Sequence, residues 1–173
     1  MDDDLEKERA AVLSAIHEAF AGVTREGGVS WSETDLLDGG RGWPELLAEA
    51  RKNDLDTRWE ELTDDPNWDA WPGGGGFSFL DPIGFTYYLP PALIRIATAS
   101  EPSGLEESMQ YHLSVPKHGQ GPLARDFLNE AQRKAVARFL LFMTKLTVAR
   151  GDDEVSIECA CEAYGNYWPT LLS

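Results

Sequence analysis

Histidine and cysteine are scarce in this chain, with three and two residues respectively among 173, and the scarcity removes whole classes of chemistry. His17, His112 and His118 are scattered, and none stands at metal-ligand spacing from a second histidine or a cysteine. Cys159 and Cys161 lie two apart in a segment with helical spacing, where i and i+2 side chains do not face each other, so a mutual disulfide is not expected. They read as reduced structural thiols, and no metal site is expected. Long apolar runs are missing too. No stretch approaches the roughly 18 uninterrupted apolar residues of a membrane span, and the opening Met1-Asp2-Asp3-Asp4-Leu5-Glu6-Lys7-Glu8 lacks the basic flank and apolar run of a secretory signal. The expectation is a cytoplasmic protein. Gly73-Gly74-Gly75-Gly76 is followed by no Gly-Lys-Ser/Thr, and no Gly-x-Ser-x-Gly elbow occurs. The chain therefore points to no catalytic residue and no cofactor by motif.

Positive charge is the other shortage. Thirty acidic residues face 15 basic ones, for a net charge of −15, and a field of that sign repels phosphate backbones and anionic lipid headgroups. Neither nucleic acid nor a membrane is the expected partner. The imbalance is uneven: residues 1–66 hold 18 acidic and 7 basic side chains, residues 67–173 hold 12 and 8. A basic protein is the partner that such a surface would capture, with Asp54, Asp56, Glu60 and Glu61 as candidate binding positions. The alternative is a solvated face that keeps the protein soluble.

What is plentiful is apolar and aromatic surface: 42% hydrophobic residues, 10% aromatic and six tryptophans. That is enough for a single globular domain over residues 1–173. Leu5, Val12, Leu13, Ile16 and Phe20 form one stripe of a first helix, over Leu5 to Ala21. Next come a short segment from Ser32 to Asp38, with Ser32 as its cap, and a helix from Trp43 to Lys52 with Pro44 in its first turn. Asn129 and Gln132 form a capping-box pair that opens a long central helix over about 130–149. Acidic Asp152-Asp153-Glu154 starts a last helix, with Val155, Cys159, Ala163 and Tyr164 as its buried face.

The sharpest local signal is Phe77 to Tyr88, two aromatic runs around Asp81-Pro82-Ile83-Gly84. Asp, Pro and Gly stand at the first, second and fourth positions of a type I turn, and Phe77 with Phe79, and Phe85 with Tyr87, alternate as strand residues do. The spacing predicts an antiparallel β-hairpin over about 77–88, ended by Leu89-Pro90-Pro91, with a helix only from Ala92 to Ala99. The expected fold class is thus α+β: a mostly helical single domain with one aromatic-rich hairpin. Trp68 and Trp71, in the loop Asp65-Pro66-Asn67-Trp68-Asp69-Ala70-Trp71-Pro72, are the expected aromatic anchors of an interface, unless both fold back over the core.

Phe79-Leu80-Asp81-Pro82-Ile83-Gly84-Phe85-Thr86-Tyr87-Tyr88-Leu89-Pro90 resembles the Phe-Leu-Asp-x-x-Gly-Phe-x-x-Tyr-Leu-Pro pattern of a bacterial domain family of unknown function. The likeness extends through Ala50-Arg51, Trp59 and the segment from Glu130 to Leu140. It implies a shared fold and brings no activity or catalytic residue. Two functions stand as expectations: an acidic, cytoplasmic protein-binding module of the inhibitor or immunity type, or an enzyme whose carboxylate and tyrosine site is assembled from scattered residues. A broad acidic face would favour the first, and a pocket with converging polar groups the second.

Overall fold

The computed structural model describes residues 3–68, 75–115, 124–165 and 167–173. In chain order its α-helices are α1 (Asp3–Ala19), α2 (Trp31–Asp38), α3 (Pro44–Ala50), α4 (Pro82–Thr98), α5 (Gly104–Leu113), α6 (Ala124–Phe127), α7 (Glu130–Arg150) and α8 (Glu154–Tyr164). Short 3-10 turns stand at Arg51–Asn53, Trp59–Leu62, Gly76–Phe79 and Trp168–Leu171. No strand occurs among the described residues. Two compact units divide the chain, Met1–Ala21 with Leu93–Ser173, and Gly22–Ala92, so that the boundary falls within α4.

The hairpin expected over 77–88 is therefore absent, and the fold class is helical rather than α+β. The reason lies in the turn itself. A type I turn and the first turn of a helix share backbone geometry, so Asp81-Pro82-Ile83-Gly84 serves either, and the residues beyond Gly84 decide. Asp81 is a helix cap: its Oδ1 accepts from Gly84 N at 2.8 Å, while its carbonyl accepts from Phe85 N at 2.8 Å. Pro82 then takes the first helical position, where its missing N–H costs nothing. Farther along, Phe85, Tyr88, Leu89, Ala92, Leu93 and Ile96 are buried at helical spacing. Pro90 and Pro91 lie inside α4 instead of ending a strand. An interior proline costs a helix about 3 kcal/mol, and here burial of the surrounding apolar side chains outweighs that penalty.

In the unit Gly22–Ala92, α2 is capped by Ser30, not Ser32: the Glu33 carboxylate reaches back to accept from Ser30 N at 2.6 Å. Arg51 Nη2 pairs with Glu33 at 2.8 Å and also donates to the Gly28 carbonyl at 2.8 Å, which ties the turn after α3 to the chain entering α2. None of the residues of α3 is buried.

In the other unit, α7 packs against α1, α8 and the Trp168–Leu171 turn, which makes it the central helix that its apolar girth predicts. Asn129 and Gln132 bond reciprocally at 2.9 and 3.0 Å, and Gly151 closes the helix at φ 74°. Trp168 is buried and donates from Nε1 to the Leu113 carbonyl at 2.8 Å. The buried face of α8 is Ala160 and Ala163, whereas Val155, Cys159 and Cys161 are exposed. Small residues let α8 approach its neighbours closely, a choice that a hydrophobicity stripe does not reveal. Arg150 sits between Glu106 at 2.8 Å and Asp152 at 2.6 Å, all three nearly buried.

Partial burial in α5 pushes the His112 imidazole down from 6.5 to about 4. The unfolded chain then takes up a proton near pH 6.5 that the folded chain refuses, so stability falls as pH drops from about 6.5 to about 4. Burial raises Glu106, which acts in the opposite sense: its contribution is lost as pH rises above the ordinary carboxylate range. Relative to His112→Gln, the native chain is expected to lose about 2 kcal/mol between neutral pH and about pH 4.5, after allowance for the ring's partial exposure. Denaturant titrations of both chains at each pH check this, and a constant difference would refute it.

Candidate functional site

Within Gly22–Ala92, aromatic rings make a buried wall. Trp31 packs at a steep angle against Trp68 at 5.3 Å and Phe77 at 5.2 Å, as Phe77 does against Phe85 at 5.3 Å, and its ring stands tilted, 5.1 Å from that of Tyr88. Edge-on contacts of this kind suit the ring quadrupoles. The helical turn of α4 places Tyr87 and Tyr88 side by side, at 5.0 Å, both fully buried. Their hydroxyls reach a polar network that no local pattern announced.

Arg25 is its hub. Nη1 donates to the Tyr88 hydroxyl at 2.7 Å and lies 3.4 Å from Asp54 Oδ2, while Nη2 lies 3.8 Å from Asp56 Oδ2. The guanidinium also stands over the Tyr87 and Tyr88 rings at 5.6 and 5.8 Å. Burial alone would disfavour its charge, but Tyr88, Asp56 and Asp54 outweigh that effect and hold its pKa above the ordinary value. The Trp31 backbone N–H donates to the Tyr88 hydroxyl as well, at 2.9 Å.

Each carboxylate is oriented from a different side. Ser32 donates to Asp54 twice, from its backbone N at 3.1 Å and its Oγ at 2.9 Å. Tyr87 donates to Asp56 Oδ2 at 2.6 Å. Burial, and then the hydrogen bond to Asp56 and its negative charge, push the Tyr87 phenol far above its usual range, so it remains a donor. Burial likewise raises Tyr88 against the pull of Arg25. The Asp56 side chain is only 8% exposed, and its Oδ1 receives no hydrogen bond from any described residue.

Asp54 and Asp56 open into a cleft of about 1090 Å³ that includes Trp31, Ser32, Asp35, Arg41, Leu46, Leu55, Glu61, Asp65 and Trp68 in its wall. Among the described residues six carboxylates line it (Asp35, Glu49, Asp54, Asp56, Glu61 and Asp65) beside one cationic side chain, Arg41. Of the expected binding residues, Asp54, Asp56, Glu61 and Trp68 thus share one cavity, whereas Glu60 is not part of its wall. Glu61 is exposed and accepts from Thr57 N at 3.0 Å and Thr57 Oγ1 at 3.1 Å, bonds that lower its pKa. Trp68 is buried in the aromatic wall and does not project as an anchor; Trp71 lies outside the described residues.

A family model described as a family of unknown function (DUF6714) matches residues 8–171. The chain belongs to that family. The DUF6714 match runs through both units and contains every residue of the network and the cleft. No curated protein matches the chain, and no solved structure does.

In this DUF6714 chain no three histidine, cysteine, aspartate or glutamate side chains among the described residues gather as a metal-binding set. No described helix is long and apolar enough to cross a membrane. The residues that sequence reasoning missed are Arg25, Ser32, Tyr87 and Tyr88. Aromatic alternation puts Tyr87 on a strand face, but in a helix the adjacent tyrosines diverge enough for one to reach Asp56 and the other Arg25. For Arg25 the only hint is a lone cation in a glycine-flanked loop, which marks no function.

Proposed function

We propose that the cleft of the Gly22–Ala92 unit is an acid–base site for a cationic substrate, the carboxylate and tyrosine enzyme that is the alternative to a docking module. The observation that carries this reading is Asp56, with Oδ2 engaged by Tyr87 and Oδ1 open on a nearly buried carboxylate in the cleft wall. A carboxylate with one oxygen anchored and the other free is a positioned proton acceptor. On an X–H group of a bound substrate, the proton would pass to Oδ1 and the electron pair would remain on X. The excess of carboxylates in the wall supplies the selection for a cation. Convergence of these groups in a concavity favours chemistry over broad docking. The pattern from Phe79 to Pro90 fits as the bacterial family's signature, because it supplies the Asp81 cap of α4 and the Tyr88 hydroxyl that accepts from Arg25 beside the site.

Incubation of the chain with a cationic metabolite fraction, with mass spectrometry as the readout, tests the reading. A positively charged species consumed by the native chain and not by Asp56→Asn is the expected result; a profile identical for both chains, with both folded, would overturn it. A second reading, an acidic module for a basic protein, is favoured by exposed apolar side chains in the cleft wall: Leu55 is 85% and Leu46 38% exposed. On that reading, association with the partner weakens as salt shortens the screening length from about 30 Å at 0.01 M to about 10 Å at 0.1 M.

A further inference from the structure

We infer that the group entering the cleft is a lysine side chain carried on a polypeptide, an inference that rests on the cleft being the cation site. Two observations separate this ligand from a free small cation. The first is the rim. α3 buries none of its residues, yet its Leu46 lines the cleft with 38% of its surface exposed, and Leu55 in the same wall is 85% exposed. Apolar side chains held in water beside a carboxylate-rich cavity suit a ligand that brings its own apolar flanks together with its charge. A polypeptide does so, with neighbouring side chains on the rim and one long side chain reaching in.

The second observation is the state of the two deep carboxylates. Asp54 has both oxygens engaged, Oδ1 by Ser32 Oγ and Oδ2 by Ser32 N with Arg25 close by, so it offers field rather than a vacant acceptor. Asp56 has Oδ2 bonded to Tyr87 and only Oδ1 open. A guanidinium recognises a carboxylate best through two parallel bonds to two free oxygens, which neither residue offers. An ammonium is a point donor and needs one. The stem of a lysine is apolar, and Leu36, Leu46, Leu55 and Leu62 in the cleft wall are suited to cover it while the charge meets Asp56. Charge complementarity adds to the case: among the described residues six carboxylates line the cleft beside Arg41, and although Arg25 pairs with Asp54 and Asp56, Lys52 with Glu49 and Arg58 with Glu61, the wall keeps an excess of negative charge.

Fluorescence anisotropy with a capped pentapeptide, one lysine flanked by leucines, tests the inference beside its arginine and norleucine versions and free n-butylamine as competitor. The lysine peptide is expected to bind at least about tenfold more tightly than n-butylamine or the arginine peptide, and the norleucine peptide not to bind. Leu55→Ser, on an exposed position, and Asp56→Asn are each expected to weaken the lysine peptide about tenfold. If Asp56→Asn does not fold, Asp35→Asn on the exposed wall replaces it, with an expected loss of about threefold. Equal binding of peptide and n-butylamine, unaffected by Leu55→Ser, would overturn the polypeptide ligand and leave the cation cleft standing. An arginine peptide as tight as the lysine peptide would overturn the assignment to lysine. Absence of binding by both the lysine peptide and n-butylamine would remove the cleft reading itself.

Discussion

Phe139→Ala will lower the free energy of unfolding by about 3–5 kcal/mol. Phe139 is 1% exposed in the middle of α7, the helix against which α1, α8 and the Trp168–Leu171 turn all pack. Removal of the ring forfeits its transfer free energy and leaves a void that the surrounding elements cannot fully collapse to fill, because two of them are held by further contacts: Trp168 Nε1 is bonded to Leu113, and Lys145 on α7 is bonded to Glu8 on α1 at 2.6 Å. Phe139→Leu should cost less, about 1–2 kcal/mol, since most of the volume is kept. Urea denaturation of the two variants is the measurement. A loss below about 1 kcal/mol for the alanine variant would contradict the central place of α7.

Gly84→Ala will destabilise the protein by about 2–3 kcal/mol, although alanine is worth about 1 kcal/mol more than glycine within a helix. The two effects have opposite signs, and the packing decides between them. Gly84 is in the first turn of α4 at an ordinary helical φ, so no backbone freedom is at stake. A Cβ at this position would be driven against the Val29 carbonyl oxygen, a backbone atom with no rotamer through which to yield. A Cβ on the opposing Gly28 would in turn come within 2.7 Å of Gly84 N. The close approach also lets Asp81 Oδ1 accept from Val29 N at 3.0 Å as well as from Gly84 N, so one carboxylate both caps α4 and anchors the stretch of chain that leads into α2. Thermal and urea denaturation check the prediction. A rise in midpoint would mean that helix propensity prevails and that the contact is loose enough to admit a methyl group.

The hairpin shows where local reading stops. Over Phe77–Tyr88 the alternation of aromatics and the Asp-Pro-x-Gly turn fit a pair of strands, and the prolines at 90 and 91 fit their end. The same residues fit a helix once Leu89, Ala92, Leu93 and Ile96 join Phe85 and Tyr88 on the buried side. Choosing between them required the energy of burial along the whole of α4, which no window of four to eight residues contains. The displaced cap in α2 has a different cause: Ser30 and Ser32 are chemically equal candidates, and Ser32 is drawn away by Asp54, twenty-two positions along the chain.

Short-range chemistry was determined by the sequence alone. It set α1 through its apolar stripe, α7 through the Asn129 and Gln132 box and the Gly151 cap, and the acidic bias of the first 66 residues, because helix periodicity, capping hydrogen bonds and net charge depend on residues a few positions apart or on a simple sum. Only the tertiary structure decided that Tyr87 meets Asp56, that Tyr88 meets Arg25, and that Asp54, Asp56 and Glu61 share a cleft with Asp35 and Asp65. Those meetings join residues up to sixty-three positions apart. A hydrogen bond or a cavity wall between such distant residues depends on the packing of every element between them, and one chain read by itself carries no record of it.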